Sequence, residues 1–392
     1  MMPAERIGKG EACPGTLFHG SFLIMVASTA LRIVIACGGT GGHLFPGIAV
    51  AEEMRARGHE VMLLISGKKV DREASEKYAH LRFETVEAIA KPSTLSPKMI
   101  PFLWKLWRTA RQCRSLLTAF QADAVLGMGG FTSLPPVYAG HKLGLATFIH
   151  DSNARPGRAN ILTSRFCTRV FVGMQAGARF FTKRPVTLTG TPVRAEIRSL
   201  PARETAAAKF GLDPARPILL VTGGSQGARR LNLLAAEAAP LLPTGIQVLH
   251  IAGSFDFDRV TDDTTGRTDY HTLGFCADMP SAYAVANLVV ARAGASSLTE
   301  LAHAGLPSIL VPYPFAADDH QTRNAEVFAQ AGAARLVQET ALTAVGLAEI
   351  VTEIFGDLQT RESMAQAARA LDVPDAAARV CLAIETTCLP PP

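Results

Sequence analysis

Several classes of protein are excluded by what this chain has little of. The longest unbroken apolar run near its start, Phe22 to Ala27, falls far short of the roughly 20 residues that cross a bilayer. Its seven cysteines are odd in number, widely scattered and without a C-x-x-C pair, which argues against a disulfide framework and a zinc site and suits a reducing compartment. Only 19% of the residues are charged while 48% are apolar, too apolar a balance for disorder. What remains is a soluble or peripheral globular protein. At roughly 150 residues per domain, 392 residues suggest two domains.

The formal charge of +5 is unevenly placed: residues 1–193 carry 24 Lys and Arg against 12 Asp and Glu, whereas residues 194–392 carry 15 against 22. A basic N-terminal half attracts anionic lipid or phosphate. Residues 1–30 place Arg6 and Lys9 before a mildly apolar stretch from Thr16 to Ala30, loosely like a secretory signal. His19 and Gly20 interrupt it, and a disordered leader, or a start at Met25, is the competing reading.

From Leu31 the sequence reads as an apolar strand, a Gly-rich turn, a helix and a second strand ending near Ser66, a βαβ opening. The same shape returns from Pro217, with Gly38 and Gly223 in register 185 residues apart. Further short apolar strands alternate with helices, which predicts two α/β domains with parallel, doubly wound sheets facing across a cleft. The boundaries follow: a leader over 1–30, an N-terminal domain over 31–193, and a C-terminal domain over 194–373. A helix and tail over 374–392 are predicted to pack back on the N-terminal domain, the helix running from Asp375 to about Thr386.

The first loop, Gly38-Gly39-Thr40-Gly41-Gly42-His43, puts unobstructed amides at a helix N-terminus, where phosphate is the natural guest. It lacks both the P-loop spacing and the third glycine of a dinucleotide fold, which weighs against nucleotide hydrolysis and NAD(P) redox chemistry. Gly127-Met128-Gly129-Gly130 and Gly223-Gly224-Ser225-Gln226-Gly227 repeat the pattern after other strands. His43 could take a proton from an attacking hydroxyl, or simply bond the loop backbone. His150-Asp151-Ser152-Asn153 ends another strand with polar groups that could equally cap a turn.

Arg292 to Glu300 follows an apolar strand and opens a helix with small residues. Glu300 could accept two hydrogen bonds from a ribose diol, yet Ser297-x-x-Glu300 also spells a capping box. Spacing leaves both open. Asp318 to Asn324 is a polar cluster opening another helix. Lys98 to Phe120 holds both tryptophans and five basic residues without an acid; Lys105, Arg108, Arg111 and Arg114 recur every three residues. Such a helix suits an anionic membrane surface or a solvated face on the sheet.

Taken in order, GGTGGHLFPGIAVAEE, VLGMGGFTS, HDSN, GTPVR, GGSQGARRLN and RAGASSLTELAHAGLPSILVPYP with HQTRNA resemble the MurG family, N-acetylglucosaminyltransferases that complete the lipid-linked peptidoglycan precursor. The resemblance covers nearly all the chain beyond the leader. It implies a GT-B fold, a UDP-GlcNAc donor held mainly by the C-terminal domain, and a muramoyl-pentapeptide diphosphoundecaprenol acceptor. The expected place is the cytoplasmic face of the cell membrane, as a peripheral protein on an anionic surface, with no cofactor, metal or nucleic acid. By motif, Thr40, Gly41 and Gly42 line the cleft, Asn153 and Gln321 look toward the donor sugar, and Arg194 and Ser225 toward the nucleotide and phosphates. Ala295, Ser296, Ser297, Leu298, Thr299 and Glu300 resemble the diphosphate and ribose site, with Glu300 on the ribose. Cys276 stands where a backbone meets the uracil edge. HDSN departs from the more usual HEQN, so no catalytic role is carried to Asp151, and His320 departs from the commoner Gln beside Gln321, so no sugar contact is carried to His320. The reaction expected is a single inverting displacement with His43 as the base.

Overall fold

A computed structural model describes residues 30–87, 97, 99–224 and 228–389. The leader reading (apart from Ala30) and the Ser225 reading lie outside the described residues.

Each repeat becomes a domain because its strands are apolar on both faces and must be covered on both. In the first, Ile33, Val34 and Ile35 of β1 (Arg32–Ala36) are fully buried. Around it form β2 (Glu60–Ile65), β3 (Arg82–Thr85), β4 (Ala124–Gly127), β5 (Ala146–Asp151), β6 (Arg169–Val172) and β7 (Val186–Leu188). All pairings are parallel, in the order β3-β2-β1-β4-β5-β6-β7, with Ile33 between Val61 and Ala124. The second sheet holds β8 (Ile218–Thr222), β9 (Gln247–Ile251), β10 (Tyr270–Leu273), β11 (Leu288–Ala291), β12 (Ser308–Leu310) and β13 (Ala334–Leu336). Its order is β10-β9-β8-β11-β12-β13.

Both orders reverse direction between the first and fourth strand of the repeat. The loops leaving β1 and β4, and those leaving β8 and β11, therefore part at the carboxyl ends of their strands and leave a crevice there. The chain's Gly-rich turns stand at these two switch points.

The two chain segments that join the domains touch one another. Gly190 has φ +75°, and a Cβ on it would come within 2.6 Å of Val373 Cβ, so a side chain is excluded where the linker passes the returning chain. The last helix runs over Ala376–Cys388 and packs on the helix Gly41–Ala56. Val380, Cys381 and Ile384 join Ile48, Val50 and Ala51 in one core; burying an aliphatic side chain of that size contributes roughly 1.5–3 kcal/mol. Glu385 adds bonds to Arg57 at 3.0 Å and His59 at 2.9 Å. Since His59 Nδ1 accepts from the Leu31 N–H, its Nε2 carries the proton and donates to Glu385.

Candidate active site

The helix Gly41–Ala56 starts where β1 ends, with Thr40 at its N-cap and no side-chain cap bond. Gly41 and Gly42 form its first turn and His43 follows, so the sequence order alone puts the imidazole at the mouth of the crevice. The loop after β4 closes on the ring. A Cβ on Gly129 would lie 2.7 Å from His43 Cε1, and one on Gly130 3.5 Å from Nε2; both glycines hold positive φ. Burial pushes the His43 pKa below its ordinary 6.5, while Asp151 and a backbone hydrogen bond at Met128 pull upward and His320 and Lys68 push down. Desolvation wins, so the ring is neutral at pH 7 and one nitrogen is free to accept a proton.

Asp151 supports this loop and has no spare capacity for chemistry. Its buried carboxylate accepts from the Asn153 N–H at 2.8 Å, Asn153 Nδ2 at 3.2 Å, the Gly157 N–H at 3.2 Å and Asn160 Nδ2 at 2.6 Å. Asn160 Oδ1 in turn accepts from the Gly130 N–H at 3.0 Å. The chain of contacts from Asp151 through Asn160 to Gly130 thus sets the wall around His43. On the other side, Asp71 accepts from the Gly39 N–H at 3.0 Å, and Lys68 donates to the Gly39 carbonyl at 2.8 Å.

The facing helix, Ala295–Ala304, begins at Gly294 with no side-chain cap. Ser297 therefore lies inside the first turn rather than at the cap, and the capping box is not formed. Glu300 turns the other way: Oε2 accepts from the Tyr283 hydroxyl at 2.8 Å, and Oε1 is 3.6 Å from Arg194 Nη2. Burial raises the Glu300 pKa, with Arg194 and Tyr283 pulling it down. Burial, and then Glu300 itself, hold the Tyr283 hydroxyl protonated. Arg194 also stacks on Phe45 of the N-terminal domain, 4.9 Å from the ring centre, and its buried Nε has no partner among the described residues. Leu298 is fully buried in the core and offers only backbone, and the Thr299 hydroxyl donates to the Ala295 carbonyl at 2.9 Å.

The two helix starts meet. Pro46 has no N–H, so the Gly42 carbonyl four residues before it lacks its helical partner; the Ser296 hydroxyl donates to that oxygen at 3.4 Å from the other domain. A third element completes the cleft, the helix His320–Gln330. It starts after Asp318 and Asp319, both left-handed at φ 53° and 55°, with Arg158 on Asp318 at 2.6 Å. Gln321 Oε1 accepts from the Tyr313 N–H at 3.0 Å, leaving its amide nitrogen available. Asn153 Oδ1 accepts from Asn324 Nδ2 at 3.1 Å. Cys276 is half-buried in the loop after β10, its thiol pKa raised chiefly by burial.

Asn160 and Tyr283 have no role readable in the sequence, and Asn324 is marked there only as part of the polar cluster that opens its helix. Their partners lie 9 to 171 residues away in sequence. Arg292, at the head of the small-residue stretch, is not a phosphate ligand: it is buried, donates to the Val311 and Pro312 carbonyls at 3.1 Å and pairs with Glu339. Asp256, part of a D-x-D by letters, accepts from Asn232 at 2.9 Å. Away from the cleft, the helix Met99–Phe120 leaves Trp104 58% and Trp107 56% exposed, with Arg108 and Arg111 against their rings at 5.6 and 4.9 Å.

Two parallel α/β domains, each aiming a helix N-terminus into a shared cleft and one of them carrying a neutral histidine there, define a glycosyltransferase of the GT-B class. The descriptions "Glycosyltransferase family 28 N-terminal domain" and "Glycosyltransferase family 28 C-terminal domain" match residues 33–172 and 218–380. The chain belongs to glycosyltransferase family 28 and, within it, to the MurG-type transferases. It is 36% identical over 349 residues to a UDP-N-acetylglucosamine--N-acetylmuramyl-(pentapeptide) pyrophosphoryl-undecaprenol N-acetylglucosamine transferase of an Exiguobacterium species, covering 88% of this chain and 96% of that one. The like-named protein of Solibacter usitatus is 36% identical over 372 residues, covering 93% and 98%. The crystal structure of Acinetobacter baumannii MurG superposes with a TM-score of 0.74 at 27% identity, covering 91% of this chain and 99% of that one.

Proposed function

We propose that the chain moves N-acetylglucosamine from UDP-GlcNAc to the C4 hydroxyl of a muramoyl-pentapeptide diphosphate on an undecaprenyl lipid. The observation that carries this is the meeting, through the Ser296–Gly42 bond, of the helix start that holds a neutral, glycine-walled His43 with the open helix start at Ala295–Ser297, in a chain whose relatives bear that activity in their names. The acceptor oxygen attacks the anomeric carbon as the bond to UDP breaks, so the bonding pair leaves on the diphosphate and the configuration inverts. His43 takes the hydroxyl proton. The growing diphosphate charge is met by the N–H groups of Ala295, Ser296 and Ser297, which need no reorganisation as charge develops, and Ser225 is assigned to the same charge by its motif.

Glu300, bonded by the Tyr283 hydroxyl and beside Arg194, receives the ribose hydroxyls, and the Cys276 backbone reads the uracil edge. Arg194, with its unpartnered Nε, turns to the nucleotide. Asn153 and the free amide nitrogen of Gln321 contact the sugar, while Thr40, Gly41 and Gly42 line the acceptor side. The basic, Trp-bearing helix lies on an anionic leaflet, so that the protein works as a peripheral protein at the cytoplasmic face of the membrane. No described helix is long and apolar enough to cross it.

The test is incubation with UDP-GlcNAc and a shortened-chain analogue of the lipid acceptor, read by mass spectrometry. One added N-acetylhexosamine, absent with UDP-glucose, is the expected result. Saturable UDP-GlcNAc binding without product would reject this acceptor, and no binding would overturn the donor assignment as well.

A further inference from the structure

We propose that Asn324 is a positioning residue that registers the acceptor half of the cleft against the donor half. Its side chain is fully buried and every strong hydrogen-bonding group on it is used across or along the domain boundary. Oδ1 accepts from the Ala154 N–H at 2.8 Å. The two protons on Nδ2 go to Asn153 Oδ1 at 3.1 Å and to the Ala293 carbonyl at 3.1 Å. An N–H on one side and two oxygens on the other fix which way the amide faces.

The three partners lie in two parts of the site, Asn153 and Ala154 in the loop after β5 and Ala293 at the approach to the facing helix. Asn153 also donates to Asp151 at 3.2 Å, so with its carbonyl on Asn324 and its amide on Asp151 its plane is set. Asp151 leads through Asn160 to the loop around His43. Ala293 immediately precedes Gly294, the N-cap of the helix Ala295–Ala304. One buried amide therefore couples the placement of the proton acceptor to that of the anion-binding helix. This latch lies beside the segment that joins the domains: a Cβ on Gly173 would fall 2.9 Å from Ser152 Cα and 2.2 Å from the hydroxyl of Thr191 in that segment.

The activity arm of the test rests on the function proposed above; the exchange arm does not. Asn324→Asp keeps an oxygen for the Ala154 N–H but loses both donors and sets a carboxylate against two carbonyl oxygens. Asn324→Ala removes everything. Amide hydrogen exchange at Ala154 is measured beside that of Phe148 and Ile149 in β5, together with KM for UDP-GlcNAc and kcat. In the Ala variant Ala154 should exchange on the order of tenfold faster, with the β5 amides unchanged. In the Asp variant Ala154 should stay protected. Both variants should raise the donor KM on the order of tenfold with a smaller change in kcat. Unchanged Ala154 exchange in Asn324→Ala overturns the latch, as does faster exchange spread evenly over β5, which is general loosening. A donor KM equal to that of the parent protein in both variants overturns the positioning role. If the parent protein transfers no sugar, the functional reading fails while the exchange result still decides the latch.

Discussion

The two halves of the cleft are built from the same repeat and have been put to different work. In the N-terminal half, the space at the switch point between β1 and β4 is filled by the chain's own imidazole, which Gly129 and Gly130 enclose. In the C-terminal half, the helix leaving β11 starts with Ala295, Ser296 and Ser297, none of which reaches across its own N-terminus. One switch point presents a proton acceptor, the other a set of unobstructed amides. The charge follows a different logic: the basic half is the one with the exposed tryptophan helix, and the acidic half is the one proposed to bind the anionic nucleotide. On the proposed reading, local dipoles and amides rather than net charge decide which half takes a diphosphate.

The strongest way to break this division is at His43. Replacing it with Ala should lower kcat by roughly 10²–10⁴ and leave the donor KM nearly unchanged, because the helix at Ala295 remains. Since burial lowers the His43 pKa, the acid limb of kcat in the parent protein should lie below the ordinary histidine value. The same displacement makes the folded state bind fewer protons than the unfolded one, so stability falls as pH drops through 6.5. An equal loss in kcat/KM through KM alone would assign His43 to binding.

Charge on the N-terminal half gives the next largest effect. Changing Lys105, Arg108 and Arg111 to Gln together should weaken binding to anionic liposomes on the order of a hundredfold at low salt, at about 1 kcal/mol for each cation near the surface. Lys105 should contribute least, being already paired with Glu87 at 2.9 Å. Transfer to a water-soluble acceptor should be untouched. If liposome binding holds, the basic face is only solvated.

In the donor half, Glu300→Gln should raise the UDP-GlcNAc KM about tenfold or more, the loss of hydrogen bonds to a charged acceptor, with kcat little altered. Because burial raises the Glu300 pKa, the parent protein takes up this proton at a higher pH than an ordinary glutamate does. Its donor KM should therefore climb as pH falls, and that climb should disappear in the Gln variant. Persistence of the acid limb there would place it elsewhere.

How far the sequence could be read depended on the distance between partners. The strands were legible because burial on both faces leaves an unmistakable run such as Arg32 to Ala36. The switch-point loops were legible because glycine is required where a ring or a backbone comes close, as at Gly129. The alternative at Ser297 and Glu300 was not decidable, since a capping box and a free carboxylate share one spacing; Gly294 at the cap decides it. Asp151 reads as a strand-end acid, and only folding shows that Gly157, Asn160 and Asn153 occupy it. Asn324 reads in the sequence only as one member of a polar cluster, because all three of its bonds are made to residues at least 31 positions away.

The smallest effect tests where the halves touch. Ser296→Ala removes one hydrogen bond of 3.4 Å, which should raise the donor KM less than about fivefold. Pro46→Ala restores an N–H that can pair with the Gly42 carbonyl inside its own helix, withdrawing the acceptor from Ser296. If the proline acts through that oxygen, the two substitutions interfere: Ser296→Ala should cost nothing further once Pro46 is Ala, although each alone weakens donor binding. Additive effects would mean that Pro46 serves only the packing of its helix. Non-additivity would tie a missing amide in one domain to the grip of the other.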